Sequence, residues 1–186
     1  MKAAHYIILT VIFLLFFGNQ GIKGQQSEDF FRAAVEEETG AHIGLPAPEI
    51  ILESPSGEKI ALSSLRGQVV LIDFWAAWCP TCRRENPSLV NTYRQYKDRE
   101  FVNGTGFTIY SVSLDKKKES WIAAIEEDSL VWESHVSDLM GRESALLEKY
   151  EISSIPLNFL LDGNGIILAV GLRGSALEER LKELLK

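Results

Sequence analysis

The chain predicts an α/β domain built on a central mixed β-sheet with helices on both faces. Three observations carry that expectation. Strand-like and helix-like hydrophobic patterns alternate along 186 residues, 46% of them hydrophobic, which suits one domain with a core of its own. Val70-Leu71-Ile72-Asp73-Phe74-Trp75 is apolar apart from one acid and reads as a buried strand. Asp162-Gly163-Asn164-Gly165 is a strong hairpin turn between two apolar segments.

The N-terminus stands apart from that domain. Lys2 and His5 precede an apolar run from Tyr6 to Phe17 broken only by Thr10, short for a membrane span and suited to a signal-peptide core. Residues 1–24 are therefore expected to be a signal peptide, with Gly24 before Gln25 as the cleavage point, or an uncleaved N-terminal anchor. No cysteine lies in this stretch to carry a lipid. Either reading places the folded part outside the cytoplasm. Residues 25–43 are read as a helical extension, with Ser27 as cap, acids in the first turn and Phe30, Phe31, Ala34 and Val35 on one face. Residues 44–186 form the main domain. The formal charge of −7 argues against a nucleic-acid footprint, which needs a basic patch.

Within the main domain, Leu45-Pro46-Ala47-Pro48 is a stiff extended lead-in. Residues 49–53 and 59–62 read as strands around the turn Pro55-Ser56-Gly57, and residues 63–67 as a short helical turn. The central strand follows over residues 69–74. After Cys82 a helix carries Leu89, Val90, Tyr93 and Tyr96 on one face, with Pro87 expected to kink it. Asn103-Gly104 is a turn, and the sequon Asn103-Gly104-Thr105 is read as nothing more. Residues 107–112 form a strand, 115–128 a helix with Trp121, Ile122 and Ile125 inward, 131–136 a strand, and 143–150 a helix. Residues 157–161 and 166–170 are the strands of the hairpin. Ser175-x-x-Glu178 is a capping box for a last helix that buries Leu177, Leu181, Leu184 and Leu185.

The chemistry sits where the central strand ends. Both cysteines of the chain, Cys79 and Cys82, follow at once, and Pro80 suits the first turn of a helix, where its missing N–H is not needed. Cys79 would then occupy a helix N-terminus, whose free N–H groups and dipole favour thiolate over thiol. Cys82, one turn on, is close enough to form a disulfide with it. Half a zinc site and an inert structural disulfide are the rival readings. Zinc wants four ligands, and outside the leader only His42 and His135 could join the two cysteines, neither at ligand-like spacing. No metal and no cofactor is expected.

Asp73-Phe74-Trp75-Ala76-Ala77-Trp78-Cys79-Pro80-Thr81-Cys82 resembles the active-site stretch of the thioredoxin superfamily. Leu45-Pro46-Ala47-Pro48, Leu65-Arg66-Gly67, Glu85-x-Pro87, Ser154-Ile155-Pro156 and Phe159-Leu160-Leu161-Asp162-x-x-Gly165 narrow that to the exported, TlpA/ResA-like thiol–disulfide oxidoreductases. The match runs over residues 44–186. The resemblance implies a thioredoxin-like fold with an insertion between its halves, placed at residues 115–140. It also implies reduction of protein disulfides, with a membrane-bound thiol carrier as electron donor and a periplasmic or other extracytoplasmic setting. Cytochrome maturation, disulfide repair and service to one client are all compatible with it. Two departures bear on partner choice and redox potential: Pro80-Thr81 replaces the usual Gly-Pro, and Leu157 follows the proline where Thr is usual.

Roles follow residue by residue. Cys79 is the expected attacking thiolate and Cys82 the resolving thiol, joined by a mixed-disulfide intermediate. Asp73 is the one charge in its strand and must be solvated, partnered or raised in proton affinity. The resemblance makes it the buried acid that helps deprotonate Cys82; a structural, hydrogen-bonded acid is the alternative. Glu85 is read as tuning thiol acidity or partner binding, or as a first-turn acid favoured by the dipole. The resemblance makes Pro156 a cis-proline packed beside Cys79, with the Ile155 backbone free to pair with an extended client. Trp78, Pro80 and Thr81 complete the expected contact surface. Trp75 is read as core support, Trp121 and Trp132 as packing, and the run Lys116-Lys117-Lys118 as a solvated helix start. Two other functions share the fold. A peroxiredoxin-type peroxidase needs a threonine where Ala76 stands, and a copper-carrying chaperone would need His135 to reach the cysteines.

Overall fold

A computed structural model describes residues 41–186. The expected leader, and all but the last three residues of the expected extension, lie outside the described residues. In chain order the elements are β1 (Ile51–Glu53), β2 (Lys59–Ala61), a 3-10 turn (Leu62–Leu65), β3 (Val69–Trp75) and α1 (Pro80–Tyr96). A small hairpin of β4 (Glu100–Phe101) and β5 (Gly104–Thr105) leads to β6 (Phe107–Ser113), α2 (Lys118–Glu127) and β7 (His135–Ser137). A second 3-10 turn (Gly141–Glu143), α3 (Leu146–Lys149), β8 (Leu157–Leu161), β9 (Ile167–Val170) and α4 (Ser175–Glu183) complete the domain.

The seven-stranded sheet has the order β2-β1-β7-β6-β3-β8-β9. β3, β6 and β7 run parallel, while β8, β9, β1 and β2 join antiparallel, so the sheet is mixed as the sequence predicts. Residues 115–140 supply α2 and β7, and β7 lies between β6 and β1.

β3 is buried along its whole length, and its period-2 alternation sorts the core into two layers. Val69, Leu71 and Trp75 join Leu89, Val90 and Tyr96 of α1, Trp121 of α2 and Leu181 of α4. Val70, Ile72 and Phe74 face the other side, against Tyr110, Tyr150 and Phe159. There the Phe74, Tyr150 and Phe159 rings form a cluster with centroids 5.2–6.1 Å apart. Asp73 has the parity of Leu71 and Trp75. Its carboxyl is therefore committed to the layer that also holds Cys79 and Cys82.

Several local expectations are corrected. The helix expected over residues 115–128 starts at Lys118, because Asp115 is buried and its carboxylate is spent on Ser113 and Ala77. Of the strand expected over 131–136 only the end forms. Trp132 instead stacks on His135 at 5.3 Å and donates its indole N–H to Ser111 Oγ at 2.9 Å. The helix expected over 143–150 is split at Ser144, which is extended; its hydroxyl donates to Asp138 and accepts from the Leu146 N–H. The capping box does not form. Gly174 is the N-cap at φ 53°, a conformation that favours glycine, and Glu178 pairs with Lys182 at 3.9 Å instead. Apart from these corrections, α1 is one continuous helix that includes Pro87, which is exposed.

The hairpin turn reads as expected. Asp162 Oδ1 accepts the N–H groups of Asn164 and Ile166, both at 2.9 Å. Gly163 N–H donates to the Asn103 carbonyl at 2.6 Å, and a Cβ there would lie 2.1 Å from that oxygen. Only glycine fits this contact between the two hairpins.

Candidate active site

β3 ends at Trp75 in the core, and Ala76-Ala77-Trp78 carries the chain to the start of α1. Cys79 is the N-cap of α1 and Pro80 its first residue, as the sequence predicts. Cys79 and Cys82 form a disulfide with Cα atoms 5.3 Å apart. The Cys82 N–H donates to Cys79 Sγ at 3.2 Å, and Thr81 Oγ1 lies 3.3 Å from the same sulfur. A helix N-terminus thus directs a backbone donor at Cys79 Sγ, an arrangement that favours negative charge there once the disulfide opens.

The loop is held from outside by Asp115. Its Oδ2 accepts the Ala77 N–H at 2.9 Å and the Ser113 hydroxyl at 2.7 Å, with the residue 2% exposed. Asp115→Ala would strand buried donors, so a loss of about 1–3 kcal/mol in unfolding free energy is expected, measured by urea denaturation of the oxidised protein. A neutral result would show that the loop does not depend on this carboxylate.

Cys79 opens onto a groove of about 420 Å³ whose walls include Trp78, Pro80, Thr81 and Ile155. Cys82 is not among the lining residues and is 1% exposed. Trp78 is half-exposed, its indole N–H donating to the Leu114 carbonyl at 3.3 Å. The Ile155–Pro156 peptide bond is cis, and Pro156 is buried. Four of the five expected contact residues therefore line one groove beside Cys79, with Pro156 next in chain to Ile155.

Asp73 is 4% exposed. Burial, and secondarily the Glu85 charge, push its carboxyl up to about 7, while Arg173 pulls the other way. Glu85 pairs with Arg173 Nε at 3.7 Å, and Arg173 Nη2 donates to the Pro156 carbonyl at 2.6 Å. One arginine thus ties the α1 carboxylate to the cis-proline segment. Sequence reasoning missed Arg173, and the Gly171-Leu172-Arg173-Gly174 loop offers no pattern that would expose it. It missed Arg142 and Asp115 as well. For Asp115 a signal existed: an acid directly after a buried strand, in Ser113-Leu114-Asp115.

The residues behind the other two functions sit elsewhere or lack the needed group. Ala76 is buried and offers only its carbonyl, which accepts the Cys79 N–H at 3.0 Å. His135 is in β7, its ring stacked on Trp132 and its Nε2 3.2 Å from the Leu130 carbonyl. Burial pulls its pKa down to about 4. It is a neutral core residue and not part of the groove.

Known proteins agree with this geometry. The AhpC/TSA family model matches residues 43–170. Thiol-disulfide oxidoreductase ResA of Geobacillus kaustophilus is 30% identical over 69% of this chain and 68% of its own length. Thioredoxin-like protein YneN of Bacillus subtilis is 28% identical over 77% of this chain and 79% of its own. The thioredoxin domain of a thiol-disulfide oxidoreductase from Bacteroides vulgatus superposes with a TM-score of 0.70 at 37% identity, covering 78% of this chain and 99% of that one. With a seven-stranded mixed sheet and a Cys-x-x-Cys pair at a helix start, the chain belongs to the AhpC/TSA family, within which it is a thiol–disulfide oxidoreductase of thioredoxin-like fold.

Proposed function

We propose that this enzyme is exported and reduces disulfides in protein clients by dithiol exchange. The observation that carries the reading is the asymmetry of the pair: Cys79, at the start of α1, lines the groove, and Cys82 does not. In the reduced enzyme the Cys79 thiolate attacks one sulfur of a client disulfide and expels the other as a client thiolate. Cys82, deprotonated, then attacks Cys79 Sγ, releasing the second client thiolate and leaving the Cys79–Cys82 disulfide. The client is reduced by two electrons and the enzyme oxidised by two. A donor dithiol, in our reading a membrane-bound thiol carrier, restores the enzyme by the reverse exchange.

Asp73 is the proposed acceptor of the Cys82 proton. A base whose pKa is near 7 is suited to that transfer at neutral pH. Glu85 acts through Asp73 by raising its proton affinity. Trp78, Pro80, Thr81 and Ile155 contact the client, which lies extended along the cis-proline segment. Export rests on the apolar leader of residues 1–24, and places the enzyme in the periplasm or an equivalent compartment.

The cycle is tested by trapping. Cys82→Ala removes the resolving thiol, so the variant should accumulate client mixed disulfides in cells, visible as adducts that collapse on adding a reductant. A variant that captures no protein under oxidising growth would refute a protein substrate.

A further inference from the structure

The groove beside Cys79 is largely apolar and hydroxyl-lined, with Leu114, Leu147 and Ile152 alongside Thr81, Ser153 and Ser154. Apart from Cys79, Arg142 is its one ionisable lining residue. The Arg142 guanidinium carbon lies over the Trp78 ring, 5.8 Å from its centre and within cation–π range, which places the cation beside the residue preceding the nucleophile. Neighbouring acids are turned elsewhere. Glu143 pairs with Lys116 at 2.8 Å. Asp138 accepts the Met140 N–H at 3.0 Å and the Ser144 hydroxyl at 2.5 Å. Among the described residues no carboxylate pairs with Arg142. An arginine with no carboxylate partner keeps its fork of N–H donors for a bidentate one.

We infer that Arg142 is a specificity-determining residue, selecting client segments that carry a carboxylate within two residues of the reacting cysteine. The inference rests on the proposed mixed disulfide at Cys79, since only that bond brings the client flank across Trp78. Because the chain as a whole carries −7, long-range attraction does not explain a preference for acidic clients. The selection is a short-range contact, and it survives at physiological salt, where the screening length is about 8 Å.

The test uses the pre-reduced enzyme and two symmetric peptide disulfides, each a homodimer of one short cysteine peptide. In one peptide glutamate lies within two residues of the cysteine; in the other lysine does. A compensating charge at the far end equalises the totals. Second-order rate constants are read at about 0.15 M salt by quenching and separating the products. The glutamate peptide should react about tenfold faster, the range of a favourable against an unfavourable partly exposed ion pair. Arg142→Gln should bring the ratio to within about twofold, and Arg142→Glu should invert it. The ratio cancels any common loss of rate in a variant. Equal rates with the native enzyme, or a ratio unmoved by Arg142→Glu, overturn the inference alone. If the reduced enzyme attacks neither peptide, the dithiol-exchange reading falls and takes this inference with it.

Discussion

Cys79→Ser should reduce turnover of a protein disulfide, followed as insulin precipitation under a dithiol donor, to the uncatalysed background. The expectation follows from position and from numbers. The chain has two cysteines, and Cys79 is the one that lines the groove. A serine hydroxyl at the same helix N-terminus stays protonated near neutral pH, so a favourable electrostatic site has no anion to stabilise. Cys82, 1% exposed, cannot take over without movement of α1. Residual turnover above background in Cys79→Ser would place the nucleophile elsewhere and end the proposed cycle. Loss of turnover in both Cys79→Ser and Cys82→Ala, with adduct formation confined to the latter, would separate attack from resolution.

Asp73→Asn should affect stability and kinetics in opposite directions. The folded-state pKa of Asp73 is raised from 3.8 to about 7, by burial first and Glu85 second. Its favourable, protonated contribution is therefore fully present below about pH 4 and lost as pH rises through about 7. Above that, an ionised and buried carboxylate costs the fold roughly 4 kcal/mol, at 1.36 kcal/mol for each pKa unit. Asparagine carries no such cost. Relative to the native enzyme, the variant should be more stable at pH 8.5 by up to about that amount and close to it at pH 4, as read by urea denaturation of the oxidised proteins. A stability difference independent of pH would show that Asp73 does not titrate in this range.

The kinetic arm runs the other way. Asparagine cannot accept the Cys82 proton, so resolution of a preformed mixed disulfide should slow by roughly 10²-fold at pH 8, within the range for general base catalysis. In the native enzyme the same step should accelerate as pH rises through about 7. The neighbours shift that midpoint in known directions. Glu85 raises and Arg173 lowers the Asp73 pKa, so Glu85→Gln should move the midpoint down and Arg173→Gln up. Opposite movements would identify electrostatics as the cause, because a general loosening of the site would move both the same way.

The sequence by itself determined the features set by short-range periodicity and turn chemistry. Apolarity broken only by Asp73 over Val70 to Trp75 dictates a buried central strand, Pro80 starts the helix, and Asp162 to Gly165 turns the hairpin. Even the face taken by Asp73 follows from the parity of β3. What the tertiary structure alone decided are contacts between residues far apart in the chain. Asp115 leaves its helix for an N–H 38 residues away, and Arg173 reaches a carbonyl 17 residues away. Gly174 rather than Ser175 caps α4, and the Trp78 ring meets Arg142 from a separate 3-10 turn. Helix propensities and caps are worth only about 1 kcal/mol each, no more than the penalty for a single buried group left unpaired. Local preference therefore yields wherever the packed chain brings such a group to a partner, and the surroundings of Cys79 are where the packing does so most.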